Sequence, residues 1–153
     1  GDRQGVLLDA AAQLGITNFI TLQCERSVSR IRTSSYERWE KILIEACKQS
    51  HRPWLPDLQV TTAPLEYLEE CRMSDGLVLL ADSDGRSLNH LKANAPSSGD
   101  VWLFVGPEGG FTAAEYSGLV SNGAIPVSLG RSTLRVETAA LAFLAIVRNL
   151  FDL

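Results

Sequence analysis

At 153 residues, with 45% hydrophobic and 21% charged side chains, the chain has the composition of one soluble globular domain with room for a sizeable core. Its longest apolar segment, residues 139–147, is well short of the roughly 20 residues of a membrane-spanning helix, and the N-terminus has neither the basic nor the apolar region of a signal peptide. A soluble, intracellular, cytoplasmic protein is expected; three widely spaced cysteines (Cys24, Cys47, Cys71) and only two histidines argue against a disulfide framework, a metal cluster or a Ser-His-Asp triad.

In chain order, residues 3–14 read as a helix and 19–22 as a short apolar strand. Because the chain opens on Gly1 and is helical almost at once, either a tag scar or a missing upstream domain is expected before it. The net charge of −4 argues mildly against nucleic acid, but its distribution does not. Between Arg26 and Arg52 seven basic residues face three acidic ones, a local +4 that leaves −8 for the rest. A helix over 34–49 lies inside this stretch, with Trp39, Ile42, Leu43, Ala46 and Cys47 on one stripe at 3.6-residue spacing. Glu45, Gln49 and Arg52 form a polar line beside it, and a solvated face is the simplest account of the whole basic stretch.

A weaker strand at 58–60, a helix at 64–71 and a strand at 76–81 follow. The "ADSDG" that comes next is a turn; its spacing would put Leu80 and Leu91 at calcium-ligand positions, which rules out a calcium loop. His51 and His90 lack metal-ligand spacing and are expected at the surface, and Ser34-Ser35 opens a helix. Residues 94–100 are loop-like, 101–105 form a strand, and then Gly106-Pro107-Glu108-Gly109-Gly110 opens a helix over 112–121. Thr112 and Glu115 match a capping box, so the glycine loop ends in a true helix N-terminus. The last strand, 125–129, runs into Gly130-Arg131 and a nearly all-apolar helix over 136–150, whose 139–147 stretch must be buried all round, in the core or against a second subunit. Strands alternating with helices describe an α/β domain with a mostly parallel sheet flanked by helices. In such sheets ligands bind beyond the carboxyl ends of the strands, where both glycine loops fall. Neither loop is a nucleotide-phosphate motif, and the first carries Glu108 where a phosphate cradle would carry Lys.

"LFVGPEGGFTAAE" (103–115) and "LGRSTLRVETAAL" (129–141), with "IEACKQSHR" (44–52) and a terminal "RNLFDL", resemble the RsmE-type 16S rRNA (uridine-N3) methyltransferases of the SPOUT superfamily. The family pattern L-G-x-R-I-L-R-x-E-T-A is met except that Ser132-Thr133 replace its inner Arg-Ile, with Arg131 one position earlier. The resemblance implies a deep C-terminal trefoil knot, a homodimer, and residues 1–153 as the catalytic domain without the family's N-terminal RNA-binding β-barrel. It implies S-adenosylmethionine held by Leu80, Gly106, Pro107, Glu108, Gly109, Gly110, Leu129, Gly130, Ser132 and Leu134, with no metal. It implies a uridine in 16S rRNA or the small ribosomal subunit as substrate. Arg135 is the expected cation facing the uracil oxygens, and Glu137 or Glu108 accepts the N3 proton or orients that arginine. Arg26, Arg30, Arg32 and Arg52 are candidate phosphate contacts. The competing readings are a SPOUT ribose 2′-O-methyltransferase and a non-catalytic dimeric RNA-binding module.

Overall fold

Every strand pairing among the described residues is parallel, but the strands divide into two hydrogen-bonded sheets rather than the single one expected. The computed structural model describes residues 3–28, 33–60, 63–88, 91, 99–151 and 153. In order it contains α1 (Arg3–Gln13), β1 (Asn18–Thr21), α2 (Thr33–Gln49), β2 (Asp57–Val60), α3 (Pro64–Met73), β3 (Leu77–Ser87), β4 (Val101–Phe104), α4 (Ala113–Ser121), β5 (Ile125–Ser128) and α5 (Val136–Phe151). β1 pairs with β2, and the second sheet has the order β4-β3-β5, so the connection from β4 to β5 crosses β3.

Side-chain alternation along the strands divides the interior. Val78 and Leu80 of β3 point into a cluster with Tyr67, Leu68 and Cys71 of α3, Phe104, and Leu119 of α4. Leu79, between them, points to the opposite face and packs with Val127, Phe143 and Val147, beneath α5. A third cluster seats Leu8 and Ala12 of α1 on Trp39, Leu43 and Ala46 of α2, with Phe19 and Leu58 from the first sheet beside them. The helical stripe expected on α2 is therefore its buried face: Trp39, Leu43, Ala46 and Cys47 are buried and Ile42 is partly so.

One feature departs from the sequence reading. β3 does not end at Ala81 but runs to Ser87. Ala81 and Arg86 both stand opposite Val127, so residues 82–85 leave the ladder and rejoin it at the same place on β5. The excursion begins with a local turn in which Asp84 N–H donates to Asp82 Oδ1 (3.0 Å). It closes at Gly85, where a Cβ would lie 2.5 Å from Val127 N and 2.7 Å from the Pro126 carbonyl carbon; only glycine lets the two backbones pass so closely. Within the single chain α5 buries Phe143 and Val147, whereas Ile146 is 39% exposed and most of its other apolar side chains are only half-covered.

The C-terminus of α1 is finished by its own next residues and by two distant arginines. Ile16 N–H bonds Ala11 O and Gly15 N–H bonds Ala12 O, with Gly15 at φ +96°, the two-bond ending that a left-handed residue permits. Arg52 Nη1 donates to Ala12 O (2.8 Å) and Ile16 O (3.0 Å), and Arg148 Nη1 of α5 donates to Leu14 O. α1 has no basic residue in its own last turn, so these two guanidiniums supply the positive charge that its carbonyl end favours. Arg52, expected on a phosphate, is thus half-buried and committed to main-chain carbonyls. No helix among the described residues is long and apolar enough to cross a membrane.

Candidate functional site

Parallel pairing brings the C-terminal ends of β3, β4 and β5 to one side, with the end of β3 between the other two. Three segments meet there: the 82–85 excursion, residues 105–112 after β4, and residues 129–135 after β5.

In the second segment Gly110 N–H donates to Pro107 O at 2.8 Å, closing a four-residue turn whose tip, Glu108-Gly109, is exposed. Gly110 sits at φ +70° and Gly130, in the third segment, at φ +125°. At neither would a Cβ find any atom within 4 Å. Both glycines thus meet a backbone requirement and leave bare main chain facing open space.

The turn is held in place from below and from the side. Thr112 Oγ1 accepts Glu115 N–H (3.2 Å) and Glu115 Oε2 accepts Thr112 N–H (2.8 Å), the capping box read from the sequence. Glu115 does more than cap. It is 7% exposed, and its Oε1 accepts Glu25 N–H at 2.8 Å, tying the 22–28 loop after β1 to the start of α4. Arg26 Nη1 from that loop donates to Gly109 O (2.9 Å), and its aliphatic stem packs over the glycine. Arg26, a candidate phosphate contact by sequence, therefore also clamps the turn. Burial and the neighbouring Glu115 carboxylate push the Cys24 thiol up to about 11, so it stays protonated and inert.

In the third segment Leu129 packs partly against the cluster beneath α5, while Gly130, Arg131, Ser132, Thr133, Leu134 and Arg135 are exposed. The Arg135 carbonyl accepts Ala139 N–H (2.8 Å), and Arg135, immediately before α5, has an exposed side chain. Glu137, in the first turn of α5, has a side chain 22% exposed and lies 3.8 Å from Arg3 Nε of α1. Its place is favoured by the helix dipole.

The 82–85 excursion is bonded to both neighbours. Tyr116 Oη of α4 donates to Asp82 Oδ2 at 2.5 Å. Ser128 Oγ, at the end of β5, donates to Ser83 O (2.9 Å) and accepts Gly130 N–H (3.1 Å). The Asp82 hydrogen bond, helped by burial, raises the Tyr116 phenol to about 12, so it remains a donor throughout the neutral range.

Most residues singled out by sequence do converge here: Gly106 to Gly110, Leu129 to Leu134, Arg135 and Glu137 all lie on the second and third segments or the helix they open. Leu80 does not line the surface, because its side chain is fully buried in the core; Asp82 takes that end of β3 instead. Arg30 and Arg32 lie outside the described residues, as does His90, and His51 is exposed, at φ +56°. Sequence reading missed the bracket through Glu25, the Arg26 clamp and the Tyr116–Asp82 bond. The only signal for the last was a polar-tipped aromatic in the first turns of α4.

The RNA methyltransferase domain family matches the chain from residue 1 to residue 148. This chain belongs to that family. The domain is 34% identical over 152 residues to ribosomal RNA small subunit methyltransferase E of Rickettsia conorii, covering 97% of the domain and 60% of that relative. It is 32% identical over 150 residues to the protein of the same name from Synechocystis, covering 95% of the domain and 49% of the relative. Among solved structures it resembles ribosomal RNA small subunit methyltransferase E from Neisseria gonorrhoeae bound to S-adenosyl methionine. That likeness has a TM-score of 0.86 at 31% identity, over 99% of the domain and 62% of that chain. The domain thus spans about half to three fifths of the relatives it matches.

Proposed function

We propose that this domain transfers the methyl group of S-adenosylmethionine to N3 of a uridine in small-subunit (16S) ribosomal RNA, in the cytoplasm. The observation that carries the reading is the meeting of two glycine-bearing segments, each opening a helix, on either side of the end of β3. Its weight comes from family membership and from the names of the relatives.

The residues present fit the cofactor. Gly110 and Gly130 leave main chain open to a ligand, and the nearby carboxylates of Asp82, Asp84 and Glu108 suit a cationic ligand better than a phosphate. The main chain of residues 106–110 and 129–134, with the end of β3, would hold it. S-Adenosylmethionine, when bound, supplies an electrophilic methyl on a sulfonium. Uridine N3 carries a proton and is a poor nucleophile until that proton leaves. Arg135, exposed beside the third segment, stabilises the uracil anion through its carbonyl oxygens, and Glu137 or Glu108 takes the proton or orients the guanidinium. N3 lies on the pairing edge, so the target uridine is unpaired or flipped out. Arg26, Arg30 and Arg32 contact RNA phosphates; Arg52 is better accounted for by its bonds to α1.

A trefoil knot in the C-terminal half is part of the same reading. Its support is family membership, together with the order β4-β3-β5 and the close backbone approach of Gly85 to Pro126 and Val127 of β5. A homodimer is part of it too, supported by the half-covered apolar side chains of α5 and by Leu134, 38% exposed.

The test is mass mapping of ribosomal RNA from cells lacking the gene, re-methylated by purified wild-type protein and Arg135→Ala. Methylation at uridine N3 is expected, falling about 10²–10³-fold in Arg135→Ala with cofactor binding intact. Methylation on a ribose would overturn the reaction, and full activity of Arg135→Ala would overturn its role.

A further inference from the structure

Among the described residues the excursion at 82–85 is bonded both to the helix that the second segment opens and to the third segment. On one side Tyr116 Oη, from the helix that the glycine turn opens, donates to Asp82 Oδ2 at 2.5 Å. On the other, Ser128 Oγ donates to Ser83 O and also accepts Gly130 N–H, so the same excursion is joined to the start of the third segment. Asp82 is held at both carboxylate oxygens, since Oδ1 accepts Asp84 N–H. A short O–H···O⁻ bond of this kind is among the stronger hydrogen bonds available to a side chain.

The local backbone cannot do this work. Residues 82–85 have left the β-ladder, and the pairs on either side of them both fall on Val127. Their position is therefore set by what their side chains and carbonyls reach. Tyr116 is suited to be that anchor. Its ring packs against the core cluster of α3, β3 and α4, so the hydroxyl is presented from a fixed base. The charged groups around it are Asp82 and Asp84, and the phenol stays protonated well above neutral pH, so the bond persists wherever the domain works.

We propose that Tyr116 is a positioning residue for the cofactor: by holding Asp82 it fixes the spacing between the excursion within β3 and the glycine turn after β4, and so the width of the cleft between them. This rests on the cofactor reading above. Tyr116 need not touch the ligand; it acts through Asp82. Losing the hydroxyl leaves a half-exposed carboxylate that water can solvate, so the fold survives while the cleft loosens.

The experiment is calorimetric titration of S-adenosylmethionine into the 153-residue chain as wild type, Tyr116→Phe, Asp82→Asn and Tyr67→Phe, with a thermal melt of each. Tyr116→Phe and Asp82→Asn are expected to raise the cofactor Kd about tenfold, equivalent to about 1.4 kcal/mol, with melting midpoints well above the assay temperature. Tyr67→Phe, which removes a hydroxyl of the same cluster that takes no part in the Tyr116–Asp82 bond, keeps the wild-type Kd. In turnover, Tyr116→Phe should raise KM for the cofactor far more than it lowers kcat, a split that general loosening of the fold would not produce. A wild-type Kd in folded Tyr116→Phe overturns the inference and leaves the cofactor reading standing. Should Tyr116→Phe melt below the assay temperature, Asp82→Asn decides by the same criterion. Failure of the wild type to bind S-adenosylmethionine at all overturns the cofactor reading and the inference with it.

Discussion

Replacing Glu115 with alanine should show how much of the site's shape hangs on one buried carboxylate. In the folded chain that carboxylate accepts two main-chain N–H groups, Thr112 on Oε2 and Glu25 on Oε1, each at 2.8 Å, and is 7% exposed. Hydrogen bonds to a charged partner contribute about 1.5–3 kcal/mol each, and a buried donor left unpaired costs about as much. Both N–H groups lose their partner in Glu115→Ala, an upper bound of about 6 kcal/mol. Thr112 and Glu25 lie near enough to solvent for water to recover part of this, so the expected loss is about 2–4 kcal/mol. Thr112→Ala, which removes only the hydroxyl half of the capping box, should lose about 1 kcal/mol. Glu115→Gln should fall between them, because its amide can accept one N–H but turns a donor toward the other. Urea unfolding at neutral pH, with a common m-value, gives all three numbers. Against a total stability of about 5–15 kcal/mol the largest loss would move the midpoint markedly. If Glu115→Ala unfolds within about 0.5 kcal/mol of wild type, the bracket between the 22–28 loop and α4 has no energetic weight and the reasoning fails.

Gly85→Ala should destabilise the domain by about 3 kcal/mol or prevent its folding, because the new methyl meets main-chain atoms of Pro126 and Val127, which no rotamer change can move aside; a denaturant midpoint equal to wild type would mean the two chains separate easily there. Alkaline pH should weaken the fold. Cys24 is raised to about 11, and Cys71, Tyr67 and Tyr116 to about 12, from ordinary values of 9 for the thiols and 10 for the phenols; burial leads for all but Tyr116, where the Asp82 bond leads. The unfolded chain therefore loses these protons first. Stability is whole below about pH 9 and declines as pH rises toward 11 to 12; melts that are flat from pH 8.5 to 11 would contradict this. The same burial predicts that Cys24 and Cys71 react with a thiol reagent at pH 8 only once the domain is unfolded.

What could be read without coordinates is what depends on neighbours a few residues apart. The 3.6-residue stripe of α2 and the Thr112–Glu115 cap each arise from local geometry, and each appears in the structure at the expected residues. Element bounds follow for the same reason, with β3 the exception. Its continuation past "ADSDG" depends on β5, some forty residues on, offering Val127 a second time and on Gly85 fitting against it.

The two glycine loops were also legible as loops, because glycine clusters after apolar strands have a local cause. The order β4-β3-β5, which brings them to either side of one strand end, was not, since it records which strands pair. The same limit explains Arg52. Charge and position made it look like a phosphate contact, whereas its partners Ala12 and Ile16 lie 40 and 36 residues earlier and become neighbours only when α1 packs on α2. By itself, then, the amino-acid sequence determined the elements, the buried face of α2, the cap of α4 and, through two motifs, the family. The tertiary structure alone decided which groups hold the site together. Glu25 meets Glu115 across 90 residues, Arg26 meets Gly109 across 83, and Tyr116 meets Asp82 across 34. Bonds of that reach have no periodicity to betray them: each exists because packing has already placed a donor and an acceptor within 3 Å of one another.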